Sequence, residues 1–233
     1  MTADPRLIVP LDLPTVDEAR DMVRRLGDAV SFYKIGLELL ASDGMTLARA
    51  LKADGKQIFL DWKLHDIGAT VERSARVLAQ SGCDLLTVHA EPQVMMAAAR
   101  ARGQSPLKIL AVTVLTSLTD ADLVEMGYAF GARDLVERRV RQAIACGVDG
   151  IVSSPHEAAL AREIANEAAR PDFLIVTPGV RPFWSAKDDQ ARAATPEAAI
   201  RAGASHLVCG RPITAANDPR EAALKVVAEM AGV

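Results

Sequence analysis

Cysteine and aromatic residues are both scarce in this 233-residue chain, and each shortage limits what it can be. The three cysteines, Cys83, Cys146 and Cys209, are odd in number and sit in apolar surroundings. They are expected to be reduced interior thiols, not a disulfide framework or a metal site. Aromatic residues make up 4% of a chain that is 50% hydrophobic, which leaves the core to Ala, Val, Leu and Ile. That balance suits buried parallel strands covered by alanine-rich helices. No uncharged apolar run approaches the roughly 20 residues of a membrane span. The start, MTADPRLIVPLDLP, lacks the basic stretch and long apolar core of a signal peptide. A soluble, cytoplasmic protein with no membrane partner is therefore expected. The net charge of −3 offers no broad basic surface for nucleic acid, so an anionic ligand must be captured by local positive groups. The four histidines lack metal-ligand spacing. His65 reads as a packing residue, His156 and His206 as structural or exposed, and His89 ends a strand near the candidate site.

What the chain does have is a regular alternation. Short β-rich runs at 7–12, 32–36, 57–63, 85–90, 108–115, 150–154, 173–178 and 206–210 are separated by helical patterns. In 70–81, for example, Val71, Ala75 and Leu78 recur at helical spacing. Gly27, Gly55, Gly82, Gly147 and Gly203 each fall between a helical run and the next strand, where a left-handed helix cap is expected. Alternation of this kind implies a parallel sheet, and eight units imply closure into a single-domain α/β (β/α)8 barrel spanning 1–233. An open doubly wound sheet shares the alternation, but no GxGxxG follows the first strand. The segment 116–134 is expected to carry a short extra helix. The polar stretch 179–194 reads as a loop after strand seven.

Barrels of this type carry their chemistry at the C-terminal strand ends. Those ends hold Asp12, Lys34, Asp61 and Lys63, with Asp66 just beyond strand three. Side chains alternate along a strand, so Asp61 and Lys63 should share a face above Phe59, while Leu60 and Trp62 face the helices. Lys34 should likewise lie with Phe32, opposite Tyr33 and Ile35. Four charges of alternating sign on three consecutive strands are costly to bury unless they satisfy one another. A lysine between carboxylates stays protonated and can stabilise, then protonate, a developing carbanion. A fixed carboxylate beside it disfavours a substrate carboxylate but tolerates departing CO2. The pattern fits a decarboxylation that needs no metal and no organic cofactor.

The segment 59–71, FLDWKLHDIGATV, resembles the D-x-K-x-x-D-I signature of the orotidine 5′-monophosphate decarboxylase family. The resemblance extends along the chain through LDLP at 11–14, YKIGLELL at 33–40, TVHA at 87–90, AVTVLTS at 111–117, TPGVRP at 177–182, DQARAATP at 189–196 and VCGRPI at 208–213. It implies that Asp61 opposes the substrate carboxylate and Lys63 protonates C6 of the pyrimidine. Lys34 would hold Asp61 and touch the ribose, and Asp12 would bind ribose hydroxyls. Ser117 would contact the pyrimidine, with Thr116 beside it and Pro178 also at the substrate. Arg181, Gln190, Gly210 and Arg211 would hold the phosphate, in keeping with phosphate sites after strands seven and eight of barrels. Asp66, Ile67 and Thr70 would complete the active site of a partner subunit, so a homodimer is implied. The 179–194 loop, aromatic at Phe183 and Trp184, would close over the phosphate.

The family often has Pro-Asn where this chain has Gly68-Ala69, which loosens the backbone entering the helix and removes an amide. Arg138, Arg139 and Arg141 read as a solvated helix face. Two alternatives stay open on the residues alone. One is a magnesium-dependent sugar-phosphate decarboxylase or aldolase of similar barrel and motif, which usually carries a metal-binding Glu in place of Lys34. The other is a catalytically silent nucleotide-binding barrel.

Overall fold

The computed structural model describes residues 3–185 and 194–232. Eight parallel strands close into a barrel in sequence order: β1 (Leu7–Pro10), β2 (Phe32–Ile35), β3 (Gln57–Leu64), β4 (Leu85–His89), β5 (Lys108–Val112), β6 (Gly150–Val152), β7 (Leu174–Thr177) and β8 (His206–Val208). Pairing of β8 with β1 through Leu7↔Leu207 and Ile8↔Val208 completes the ring. The expected architecture is the one observed.

Two apolar layers follow from strand alternation. Ile8, Phe32, Phe59, Leu85, Leu110, Val176 and Val208 fill the barrel interior, with Val152 and Leu174 packed against them. Tyr33, Ile35, Leu60 and Trp62 face outward into the larger layer between sheet and helices. Gly150 shows how tight the interior is, because a Cβ there would lie 2.4 Å from the Leu174 carbonyl oxygen.

The helices pack outside. Helix α1 (Val16–Leu26) starts at Thr15, whose hydroxyl accepts the Glu18 N–H, and buries Ala19, Met22 and Leu26. Next come α2 (Leu37–Leu40), α3 (Gly44–Ala53), α4 (Gly68–Leu78) and α5 (Pro92–Arg102). The extra helix expected in 116–134 is α6 (Asp120–Glu125), begun by a reciprocal capping box between Thr119 and Asp122. The set is completed by α7 (Ala132–Ala145), α8 (Ala158–Glu167), α9 (Pro196–Arg201), α10 (Arg211–Thr214) and α11 (Pro219–Met230). Gly27, Gly55, Gly82, Gly147 and Gly203 all have positive φ, from 57° to 102°, as their cap positions require. Cys83, Cys146 and Cys209 are free thiols; Cys83 and Cys209 are buried, and burial pushes the Cys209 thiol up to about 12.

Two expectations need correction. All but one of the strands end one to three residues before the sequence pattern suggests, and β3 runs one further. Beyond those ends Leu11, Thr113 and Cys209 each donate one last backbone hydrogen bond to a neighbouring strand, and the chain then leaves the ladder to form the mouth. Arg139 is not part of a solvated face. Arg141 is exposed and pairs with Glu137, but Arg139 points inward, donating to the Thr113 carbonyl and the Tyr128 hydroxyl. Each residue of helix turns the side chain by about 100°, so Arg139 and Arg141, two residues apart, point about 200° away from each other.

Helix α4 begins at Gly68 with Ile67 extended before it (φ −56°, ψ 145°). A Cβ on Gly68 would meet only ordinary contacts, Gln93 O at 3.7 Å and Ala97 Cβ at 3.8 Å. Proline suits the first helical position and an extended residue before it. Gly68→Pro is therefore expected to raise stability by about 0.4–1 kcal/mol through the unfolded chain, and Tm by roughly 1–4 °C in a calorimetric comparison.

His206 opens β8 with its ring edge-on to Phe32, centroids 5.9 Å apart. Burial holds this imidazole below its ordinary range; Asp4 opposes the shift and Arg6 adds to it. A depressed histidine binds fewer protons folded than unfolded, so the stability it permits is lost as pH falls below the unfolded value of about 6.5. Measured between about pH 7 and pH 5, Tm should fall less steeply in His206→Phe than in the parent.

Candidate active site

Four charged side chains meet where β1, β2 and β3 open. Lys34 Nζ lies 2.8 Å from Asp12 Oδ1 and 3.6 Å from Asp61 Oδ2, while Lys63 Nζ lies 2.9 Å from Asp61 Oδ1. The result is a line of alternating sign, Asp12, Lys34, Asp61, Lys63. Lys34 is the most buried of the four, its side chain only 10% exposed. Each ammonium touches a carboxylate, so no charge here is buried alone.

Strand β3 breaks its register to deliver two of these groups. It pairs with β4 at Leu60↔Leu86 and next at Leu64↔Val88, so residues 61–63 face Thr87 alone. Within this bulge Lys63 has φ 49°, a left-handed conformation that costs a non-glycine residue on the order of 1–3 kcal/mol. The Lys63 N–H, displaced from the ladder, donates to Thr87 Oγ1 at 2.9 Å. The Thr87 hydroxyl in turn donates to Asp61 Oδ1 at 3.0 Å.

Above the charges lies a cavity of about 510 Å³, within the range of small-molecule sites. Of the residues singled out from the sequence, it brings together Asp12, Lys34, Asp61, Lys63, Thr116, Pro178, Arg181, Gly210 and Arg211. Gly210 is the N-cap of α10 and packs on Pro10, whose Cγ would be 3.1 Å from an added Cβ. The Arg181 N–H donates to the Ala194 carbonyl at 2.9 Å, tying the two described ends of the loop together. Phe183 is 80% exposed.

Other expected site residues stand apart. Ser117 is exposed beside Thr116 and does not line the cavity. Asp66, Ile67 and Thr70 sit at the start of α4, outside the cavity; Asp66 Oδ1 accepts the Ile67 N–H at 2.6 Å, and Ile67 is 69% exposed. Gln190 lies outside the described residues. His89 packs against the exposed His65, ring centroids 4.7 Å apart and tilted by 38°, and does not line the cavity. Burial is the main cause holding the His89 imidazole below its ordinary range. Among the described residues, no group of three His, Cys, Asp or Glu is placed to hold a metal ion.

The structure also adds residues that the sequence reading passed over. Gly36, Leu37 and Glu38 line the cavity, and Thr87 holds the bulge beneath it. Thr87 shares its strand face with interior Leu85, so a polar residue on a buried face was the available signal.

A family model described as orotidine 5′-phosphate decarboxylase / HUMPS matches residues 5–226. The chain belongs to the orotidine 5′-phosphate decarboxylase family. It is 88% identical over 233 residues to the orotidine 5′-phosphate decarboxylase of Caulobacter vibrioides, covering all of both chains. The Rhodopseudomonas palustris enzyme of that name is 56% identical, with 98% of this chain and 97% of the other covered. Among solved structures, orotidine 5′-phosphate decarboxylase from Lactobacillus acidophilus superposes with a TM-score of 0.83 at 36% identity, covering 97% and 99% of the two chains.

In this family member Gly36 gives Lys34 and Asp12 room to meet. A Cβ there would lie 2.8 Å from Asp12 Oδ1 and 3.0 Å from Lys34 Nζ, both ends of flexible side chains. Gly36→Ala should therefore fold normally yet push the pair apart. A crystal structure of the variant is expected to show the Lys34–Asp12 separation opened beyond about 3.5 Å; an unchanged pair would refute this spacing role.

Proposed function

We propose that the chain decarboxylates orotidine 5′-monophosphate to uridine 5′-monophosphate, the step that yields UMP in pyrimidine synthesis, using its own side chains without metal or organic cofactor. The observation that carries this reading is the Asp12–Lys34–Asp61–Lys63 line in the cavity, which Arg181, Gly210 and Arg211 also line. Asp61 opposes the substrate carboxylate, and the bond from C6 to that carboxylate breaks as CO2 leaves. The electron pair left at C6 is stabilised by the Lys63 ammonium and takes its proton. Lys34 fixes Asp61 and reaches the ribose, while Asp12 binds ribose hydroxyls.

The remaining roles follow the substrate's length. Thr116 faces the pyrimidine, Ser117 reaches it from the exposed segment beside the cavity, and Pro178 packs beside it. Arg181, Gln190, Gly210 and Arg211 hold the phosphate, for which arginine offers paired donors and glycine close backbone approach. Binding energy from that remote phosphate aligns the ring over Asp61 and Lys63. Asp66, Ile67 and Thr70 complete the site of a partner subunit in a homodimer; the exposure of Ile67 beside Asp66 supports this placement. A cytoplasmic setting accompanies the reading, since its substrate is a phosphorylated nucleotide. A magnesium-dependent sugar-phosphate reaction is disfavoured by Lys34, whose ammonium lies against both nearby carboxylates and would repel a second cation.

The test is the ultraviolet absorbance change on conversion of orotidine 5′-monophosphate, with and without EDTA. Conversion should be unaffected by EDTA and should fall by at least about 10³-fold in Lys63→Ala. No conversion by the parent protein, or loss on chelation, would overturn the reading. The shared site makes a second prediction. Lys63→Ala and Asp66→Ala proteins, each inactive, should regain about a quarter of parent activity when subunits are exchanged, because half of a random mixture is mixed dimers with one intact site. Absence of any recovery after demonstrated exchange would place Asp66 outside the partner's site.

A further inference from the structure

Thr87 is completely buried, yet its hydroxyl is bonded in both directions to the charged line. It accepts the Lys63 N–H at 2.9 Å and donates to Asp61 Oδ1 at 3.0 Å; the Leu60 carbonyl, at 3.5 Å, is the more distant acceptor. It stands alone on β4 opposite residues 61–63, at the point where the β3–β4 register breaks. One hydroxyl therefore satisfies the backbone group that the bulge removes from the ladder and one oxygen of the carboxylate that the bulge presents.

We infer that Thr87 is a positioning residue for decarboxylation: its hydroxyl sets Asp61 and Lys63 relative to each other by clamping the β3 bulge. The inference rests on the roles proposed above for those two residues. Two donors, Lys63 Nζ at 2.9 Å and the Thr87 hydroxyl, converge on Asp61 Oδ1, while Oδ2 faces Lys34 at 3.6 Å. Without the hydroxyl, the carboxylate is free to turn toward Lys34. The Lys63 backbone also loses the bond that holds its left-handed conformation. Thr87 has no exposed surface and does not line the cavity, so it reaches the substrate only through its two partners.

The experiment compares Thr87→Val, Thr87→Ser and Thr87→Ala for kcat, KM, Tm and affinity for UMP, with Asp61→Ala and Lys63→Ala alongside. Thr87→Val removes the hydroxyl while keeping the shape. It is expected to lower kcat by about 10- to 100-fold, the effect of misplacing reacting groups by an ångström or less. UMP, which lacks the carboxylate, should still bind within about threefold of the parent, whereas a merely structural defect would weaken both. Thr87→Ser should restore kcat to within about threefold. Parent-like kcat in Thr87→Val, with Asp61→Ala and Lys63→Ala both inactive, would overturn the role of Thr87 alone. Activity in all three would overturn the catalytic reading first. Should the valine variant not fold, Ser and Ala differ there by the hydroxyl only: equal kcat in those two refutes the clamp, and a higher value in Ser supports it.

Discussion

The ammonium group of Lys34, drawn into a barrel mouth where its side chain is almost covered, is the constraint from which the rest of the site follows. An isolated charge there would cost several kcal/mol in lost hydration. It is tolerated because Asp12, just past the end of β1, lies at 2.8 Å and Asp61, on β3, at 3.6 Å. Asp61 in turn has Lys63, and the line ends at the better solvated Asp12. Each charge in the line thus has an opposite charge beside it. A site assembled in this way has its charges in place before any ligand arrives, which is what electrostatic catalysis requires.

The opposite end of the barrel uses charge differently. Below the interior layer, the Asp84 carboxylate accepts the Ile58 N–H and pairs with Lys52, and Asp149 accepts the Ile109 N–H and pairs with Arg102. Ser205 does the same for the Ile175 N–H without a charge. These groups tie the beginnings of odd-numbered strands to the residues leading into the even-numbered strands beside them. Polar groups at the bottom each accept a strand N–H, whereas those at the top pair mostly with one another and face a cavity. The division follows the general separation of stability and chemistry between the two faces of such barrels.

That separation also explains what could be read from the sequence. Strands, interior layer and the acidic and basic strand ends obey a two-residue period, so Phe59, Asp61 and their outward neighbours Leu60 and Trp62 were placed correctly by alternation alone. The bulge was not legible, because nothing local to LDWKL marks the point where β3 takes three residues against one. Lys63 reaches the shared face through a left-handed φ, not through the simple alternation that anticipated it. Gly36 and Thr87 were missed for a related reason. Each matters through a contact with another strand, and such contacts exist only once the barrel has closed. Arg139 was misread because proximity in sequence to Arg138 and Arg141 says little about direction on a helix.

The contrast between Lys34 and Lys63 gives the last step. Lys34 sits in regular β2, paired in register with β1 and β3, and its position is fixed by the ladder. Lys63 lies where the ladder fails, is more exposed, and owes its backbone placement to one threonine hydroxyl. For the proton transfer proposed for Lys63, the left-handed residue in the bulge turns its backbone out of the pleat. The local cost is met by the packing of β3 and β4 on either side, where Leu60, Leu86 and Val88 are completely buried. The register break therefore lies between buried residues of β3 and β4, a rigid frame that can hold a strained residue in place.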